Sequence, residues 1–325
     1  MSNYSFRAIF LTLTVFLSSN CFADDTQTRI VIHNPTYNAN PEVEKKIGMK
    51  TISDIPCTNG DLFMVSGSTW ASKAVRAGIS ESGHSNPLGI SHCGLIIIER
   101  PSKILSIIDR KLSGAIRSDY PVHPTNLSHL KEIIEQEYSC NERNQAAAFF
   151  YSAEFYRENC GVLILPVRAY LEEYNDNIYI RNIHVPYTRK FTRAFIRATL
   201  GMPYIAANPQ EVLQQGYLLR IMRSVYGRGS DTYIPRMWCS ELVARFYGID
   251  HPCSVLPSDF SSLAKEDAVG EDLFETEIPV KLTSHVPSLD DNEGIYRFII
   301  GLALNLGGLY DPMLRPHRSL KRVTH

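Results

Sequence analysis

The chain has 325 residues, 44% of them hydrophobic, and a formal net charge of -1. That is ordinary globular composition, with enough chain for one large domain or two small ones. Near-neutral charge removes the electrostatic case for nucleic-acid binding.

The first 23 residues read as an export signal. Arg7 gives a basic start, and Ala8 to Ser18 is an apolar run too short to span a bilayer. Cys21-Phe22-Ala23 ends in a small residue before Asp24-Asp25. Cleavage after Ala23 predicts an exported protein, periplasmic or secreted. Acylation of Cys21 is the alternative, and it fits poorly with Asn20, because a small residue normally precedes such a cysteine. Six cysteines then remain for an oxidising space: Cys57, Cys93, Cys140, Cys160, Cys239 and Cys253. Asn141 to Glu158 reads as one helix, which would hold Cys140 and Cys160 roughly 30 Å apart. A disulfide needs Cα atoms within about 7 Å, so either that helix breaks or the two do not pair. Cys57 with Cys253 stays open as a pair.

Residues 24–55 are polar and read as an extension or strap, and the domain is expected over residues 56–265. Gly60 to Val65 is a turn and a strand. Ser68 is placed as the N-cap of a helix from Thr69 to Ala77, followed by a Gly/Ser/Pro-rich loop, Ser80 to Gly89. Next comes an expected hairpin, with His92 to Ile98 as one strand, Glu99 to Ser102 as the loop and Lys103 to Asp109 as the return strand. Alternation puts His92, Gly94, Ile96 and Ile98 on one face and Cys93, Leu95 and Ile97 on the other. On that basis His92 and Cys93 do not serve one site together.

Residues 113–177 read as an insertion, with a charged helical stretch from Ser128 to Glu158 and a short strand from Gly161 to Val167. Ile178 to Ile183 is a strand. Tyr187 to Leu200 reads as a helix with Phe191, Ala194, Phe195 and Ala198 inward. Leu256 to Phe260 is a turn into a short helix. Residues 266–325 form a C-terminal extension. Within it Ile295 to Leu309 is apolar but short for a membrane span and is followed by Arg315, Arg318, Lys321 and Arg322. The tail reads as a docked helix, with peripheral membrane contact as the sharper alternative.

Chemistry gathers on Trp238-Cys239-Ser240-Glu241-Leu242-Val243. Cys239, Leu242, Val243 and Phe246 fall at i, i+3, i+4, i+7, the spacing of one helix face, and Gly248 supplies a stop. Cys239 therefore sits in a first helical turn, where unpaired N–H groups and the helix dipole favour a thiolate. The same N–H groups suit an oxyanion. A thiol nucleophile needs a base, and the base an orienting partner. His92, at a strand start beside small Gly94, is the candidate base. The drawn hairpin register sets Asp109 opposite His92 as the orienting carboxylate, with Glu99 too far along the strand.

Five stretches occur in order: Gly60-Asp61-Leu62-Phe63, Ser91-His92-Cys93-Gly94, Leu200-Gly201-Met202-Pro203-Tyr204, Cys239-Ser240-Glu241-Leu242-Val243 and Pro257-Ser258-Asp259. This order resembles the circularly permuted branch of the NlpC (p-sixty) papain-like superfamily, the YiiX-like proteins, with lecithin retinol acyltransferase-like enzymes as distant relatives. The resemblance covers about residues 57–265. It implies an α+β fold in which an antiparallel sheet packs against the nucleophile helix. It also implies thiol hydrolysis or acyl transfer on amide or ester bonds without cofactor or metal. The family's nucleophile falls on Cys239 and its base on His92, while Cys93 stands where relatives often have an aliphatic residue. Tyr204 and Ser240 are pocket or oxyanion candidates.

A lipid or acyl-amide substrate is the first expectation. Peptidoglycan stem peptides are the alternative, and a non-catalytic envelope or host-partner binding module is a third. A zinc site on His84, His92, Cys57 or Cys239 lacks paired-ligand spacing. Gly227 and Gly229 do not continue into a nucleotide-binding fingerprint.

Overall fold

A computed structural model describes residues 29–283, apart from 38, 70–71, 74, 77–78, 80–83, 119–121, 123, 157–158, 204–237, 251 and 253–254. The signal stretch, Tyr204, Cys253 and the apolar-then-basic tail lie outside the described residues.

Six strands make one antiparallel sheet in the order β6-β5-β4-β3-β7-β8. They are β3 (Asp61–Ser66), β4 (His92–Glu99), β5 (Ala147–Tyr156), β6 (Asn159–Pro166), β7 (Asn177–Arg181) and β8 (Ile278–Lys281). A separate pair, β1 (Ile30–His33) with β2 (Asp54–Cys57), forms a strap. The strap is tied to β8 by the Asn34 side-chain amide, which donates to the Val280 carbonyl at 2.6 Å. The molecule is thus α+β, as expected. β3 and β4 run through the middle and are apolar on both faces, because helices cover both sides; β3 is buried at every residue. Gly60, at φ +91°, makes the turn into β3.

Two expected elements take the other secondary structure. Pro101–Leu112 is a helix, not a return strand. Its run Ile104, Leu105, Ile107, Ile108 fits alternation over a few residues. It fits a helical stripe better, since all four are buried together with Lys111. Pro101 sits in the first turn, where its missing N–H costs nothing and its fixed φ suits the helix. The β4 hairpin therefore does not exist. The converse error falls at Asn141 to Glu158. The chain leaves the Pro124–Glu137 helix, turns at Ser139, whose N–H and hydroxyl both bond Glu142, and enters β5. The run Phe149-Phe150-Tyr151-Ser152-Ala153-Glu154 is aromatic and alternating, which suits a pleated sheet more than a helix. Cys140 is exposed and free.

The sheet also redraws the domain. β5 and β6, placed in an insertion by sequence, are strands of the central sheet next to β4. β8, placed in the C-terminal extension, is the far edge strand.

The Arg189–Thr199 helix forms where expected, capped by the Thr188 hydroxyl. Its buried residues are Thr192, Ile196 and Thr199, while Phe191 is exposed. The inward face is rotated by one residue from the apolar stripe, and its Thr199 pairs with the buried Tyr151 hydroxyl at 2.7 Å.

Candidate active site

The Cys239–Tyr247 helix lies across β4 and β5. Its N-cap, Trp238, has extended backbone and no side-chain cap on the first turn. The helix is stopped by Gly248 in the left-handed region, at φ +70°, as the sequence implies. Every residue from Cys239 to Ala244 is buried, with Phe246 and Tyr247. Each large apolar side chain among them stabilises the docking by about 1.5–3 kcal/mol. The helix is fixed further by the Ser240 hydroxyl, which donates to the Val255 carbonyl at 2.6 Å. That bond commits the Ser240 hydroxyl to tying the helix to the following loop.

His92 is the first residue of β4 and pairs with Val65 of β3. On its other side the β4–β5 ladder runs from Glu99–Ala147 to Leu95–Tyr151. Carrying that register three residues further sets His92 opposite Glu154. The side chains agree: His92 Nε2 lies 3.5 Å from Glu154 Oε2. Asp109, by contrast, sits on the Pro101–Leu112 helix, about half exposed, and pairs with Lys131 at 2.7 Å. The expectation for Asp109 is overturned because the return strand is a helix, and Glu154 takes the place beside His92.

Glu154 is buried and held from several sides. It accepts from the Ser152 hydroxyl, and Tyr170 and Tyr174 each donate to Oε2 at 3.3 Å. The two tyrosine rings stack at 4.1 Å. Phe63 stacks on Phe150 at 4.0 Å and meets His92 edge-on at 6.2 Å. Gly94 makes room for this wall, since a Cβ there would lie 2.3 Å from Phe63 Cε1. Sequence reasoning missed Glu154 because it counted residues 141–158 as a helix within an insertion. The alternation Phe150, Ser152, Glu154 was the available signal.

The thiol and the imidazole act on each other. Cys239 is drawn well below the ordinary thiol range. The Cys93 thiol hydrogen bond is the largest cause; burial opposes it, and the charge and hydrogen bond of His92 and the Cys93 backbone N–H add to it. Burial works against a charged His92, yet the Cys239 thiolate, by charge and hydrogen bond, outweighs it together with Glu154 and Asp176, so His92 is raised. Glu154 is raised by burial, offset in part by His92, Ser152 and the two tyrosines. The arrangement favours a thiolate–imidazolium pair backed by a carboxylate.

Cys93 belongs to this site, against the expectation from strand alternation. Alternation separates side chains above and below the middle of a sheet. Here both His92 and Cys93 act on the Cys239 thiol. Cys93 itself is pushed well above the ordinary thiol range, by burial first and then by the neighbouring Cys239. A second pair lies nearby: His84 Nδ1 is 2.9 Å from Asp259 Oδ1.

No family model matches the chain, and no curated protein matches it. Among the described residues, no three or more His, Cys, Asp or Glu side chains gather as metal ligands would.

Proposed function

We propose that the protein is a thiol hydrolase or acyltransferase that cleaves amide or ester bonds through Cys239, His92 and Glu154. One arrangement carries this: the buried Cys239 opens a helix packed on β4, the strand that His92 starts 3.5 Å from the buried Glu154; in keeping with it the thiol is drawn down and the histidine up. That is the resting state a cysteine nucleophile needs. Cys239 attacks the carbonyl carbon to give a tetrahedral oxyanion, which its own backbone N–H at the helix start stabilises. The His92 imidazolium gives its proton to the leaving amine or alcohol, and a thioester remains. His92, now neutral, takes a proton from water or an acceptor alcohol or amine. That nucleophile displaces Cys239, which leaves as thiolate while His92 is again charged. Glu154 holds the ring and stabilises its charge.

The core is proposed to be papain-like and permuted. The order of the five sequence stretches supports this, as does an antiparallel sheet carrying the histidine strand before the nucleophile helix. The apolar-then-basic tail and the permuted order favour a lipid or acyl-amide substrate. The leader-like start favours export to a periplasmic or secreted site.

Alkylation of folded protein with iodoacetamide at pH 7 tests the nucleophile: Cys239 is labelled well ahead of Cys57 and Cys93. Incubation with N-acyl amides, phospholipids and muropeptides then assigns the substrate. Release of fatty acid with intact muropeptides is the expected result. Cleavage of stem peptides without lipid turnover reassigns the substrate to peptidoglycan. Tight binding of an envelope component without turnover of either favours a binding module.

A further inference from the structure

The Arg189–Thr199 helix turns its apolar stripe outward. The stripe is Phe191, Ala194, Phe195 and Ala198, yet the residues buried beneath the helix are Thr192, Ile196 and Thr199. With 3.6 residues per turn, Ala194 and Ala198 fall at the centre of the outward face and Phe191 at one margin, and all three are exposed. Phe191 keeps 42% of its surface open, and Val185, just before the helix, keeps 73%. Phe191 is nevertheless held from below. It stacks on Tyr187 at 5.1 Å and meets Phe246 edge-on at 5.3 Å.

The other margin is cationic. Lys190 and Arg197 are exposed there, about two turns apart, and among the described residues neither forms an ion pair. Arg193, on the same side, is engaged by Glu99. No Asp or Glu occurs between Asp176 and Glu211, so no carboxylate of this stretch balances the charge.

We infer that this face docks on an anionic phospholipid surface, with Val185 and Phe191 entering the headgroup layer and Lys190 and Arg197 meeting the phosphates. The docking goes beyond the reaction assigned to Cys239 and does not depend on it. An ordinary surface helix carries its charged and polar residues outward and its apolar stripe inward. Here small alanines clear the centre, so a flat layer can approach the helix closely. The anchors on one margin are apolar, and the cations on the other have long stems that reach sideways to phosphates. A protein interface depletes lysine at its core and fixes its charges in matched pairs. A fluid array of phosphates needs no matched positions, and each cation near it contributes about fivefold to binding. Phe246, under Phe191, belongs to the Cys239–Tyr247 helix. Docking therefore carries the nucleophile helix to the bilayer surface.

The test is co-sedimentation of the full chain with vesicles of phosphatidylcholine alone, or of phosphatidylcholine and phosphatidylglycerol in equal parts. The chain is expected to pellet with the mixed vesicles, to stay in solution with the neutral ones, and to be released by added salt as the charges are screened. Lys190→Gln combined with Arg197→Gln should weaken binding by roughly 30-fold, and Val185→Ser by several-fold, with circular dichroism unchanged. Arg318→Gln, Lys321→Gln and Arg322→Gln together measure the share of the tail, and the losses caused by the helix-face variants should persist in that background. Wild-type binding by the helix-face variants overturns the proposal. So does equal binding to neutral vesicles, or binding to neither. A chain that binds no vesicle but dimerises in analytical ultracentrifugation, and does so less in Val185→Ser, overturns it in favour of a second copy on this face. Vesicle binding by a chain that turns over no acyl substrate would sink the hydrolase reading alone.

Discussion

Two histidine–carboxylate pairs stand close together in this molecule and do different work. His84 and Asp259 are in full hydrogen-bond contact at 2.9 Å. Asp259 also accepts from the Leu256 N–H at 2.8 Å, so the pair fastens the loop before β4 to the short Pro257–Phe260 turn of 3-10 helix. His92 and Glu154 are looser, at 3.5 Å, and Nε2 has no satisfied hydrogen bond although it is buried. What distinguishes them is the third member. His92 faces a thiolate at a helix start, while His84 faces carboxylates, Asp259 and, further off, Asp267. A tight, saturated pair is a fastening. A loose pair with an unsatisfied nitrogen beside a nucleophile has a proton to move.

The strongest way to break that distinction is to exchange the losses. His92→Asn and Cys239→Ser should each lower kcat/KM by about 10²–10⁴-fold with the fold intact by circular dichroism. His84→Asn should leave kcat near wild type and lower the melting temperature instead. If His84→Asn cripples turnover while His92→Asn does not, the roles given to the two pairs are reversed. Next in size is Glu154→Gln. Replacing a charged partner of the imidazolium forfeits about 1.5–3 kcal/mol, hence roughly 10–100-fold in turnover. Asp109→Asn, on the exposed face of its helix, should leave turnover unchanged. Loss of activity in Asp109→Asn with Glu154→Gln active would restore the hairpin that the structure replaces with a helix.

The contrast also shows what the sequence makes legible. Cys239 is readable because its signal is local: a helical stripe, a glycine stop and a first-turn position all lie within ten residues. His92 is readable as a strand start beside a small residue. Glu154 is not, because its role depends on β4 and β5 being neighbours across two intervening helices. Periodicity within a stretch does not report which stretches pair. The Pro101–Leu112 helix and β5 were exchanged because a short apolar run fits both periods. Pro101 and the aromatic alternation of residues 149–154 were the cues that separate them.

A third test separates the pairs by pH. His84 is raised above its ordinary 6.5, first by the hydrogen bond to Asp259, against burial. The folded protein therefore holds that proton more tightly than the unfolded chain. Its stabilisation is fully present below the ordinary value and is lost as pH rises through the raised one. Asp259→Asn should cost on the order of 2 kcal/mol at pH 6. The gap between wild type and variant in urea melts should narrow towards pH 8. A gap that is constant across this range would mean that Asp259 acts only through the Leu256 N–H.

The smallest expected effect is the most specific to the site. Tyr174 donates to Glu154 Oε2 and helps to keep that carboxylate charged, against the burial that raises it. Tyr174→Phe keeps the ring, its stacking on Tyr170 and the wall around Phe63, and removes only the donor. Glu154 then rises further, and less negative charge faces His92 at a given pH. The imidazolium is stabilised less, so the His92 value falls. Turnover needs Cys239 as thiolate and His92 protonated, which gives a bell-shaped profile whose two limbs belong to the coupled pair. The alkaline limb should therefore move to lower pH in Tyr174→Phe, while the acid limb moves little. At the optimum, loss of one neutral donor of about 1 kcal/mol lowers turnover by roughly fivefold. Tyr170→Phe should act in the same direction, since its hydroxyl bonds the same oxygen at the same distance. A purely structural role for these tyrosines would lower stability and leave the limb where it is. An unmoved limb with turnover lowered and stability unchanged would mean that Glu154 is neutral in the resting site and does not stabilise the charge on His92.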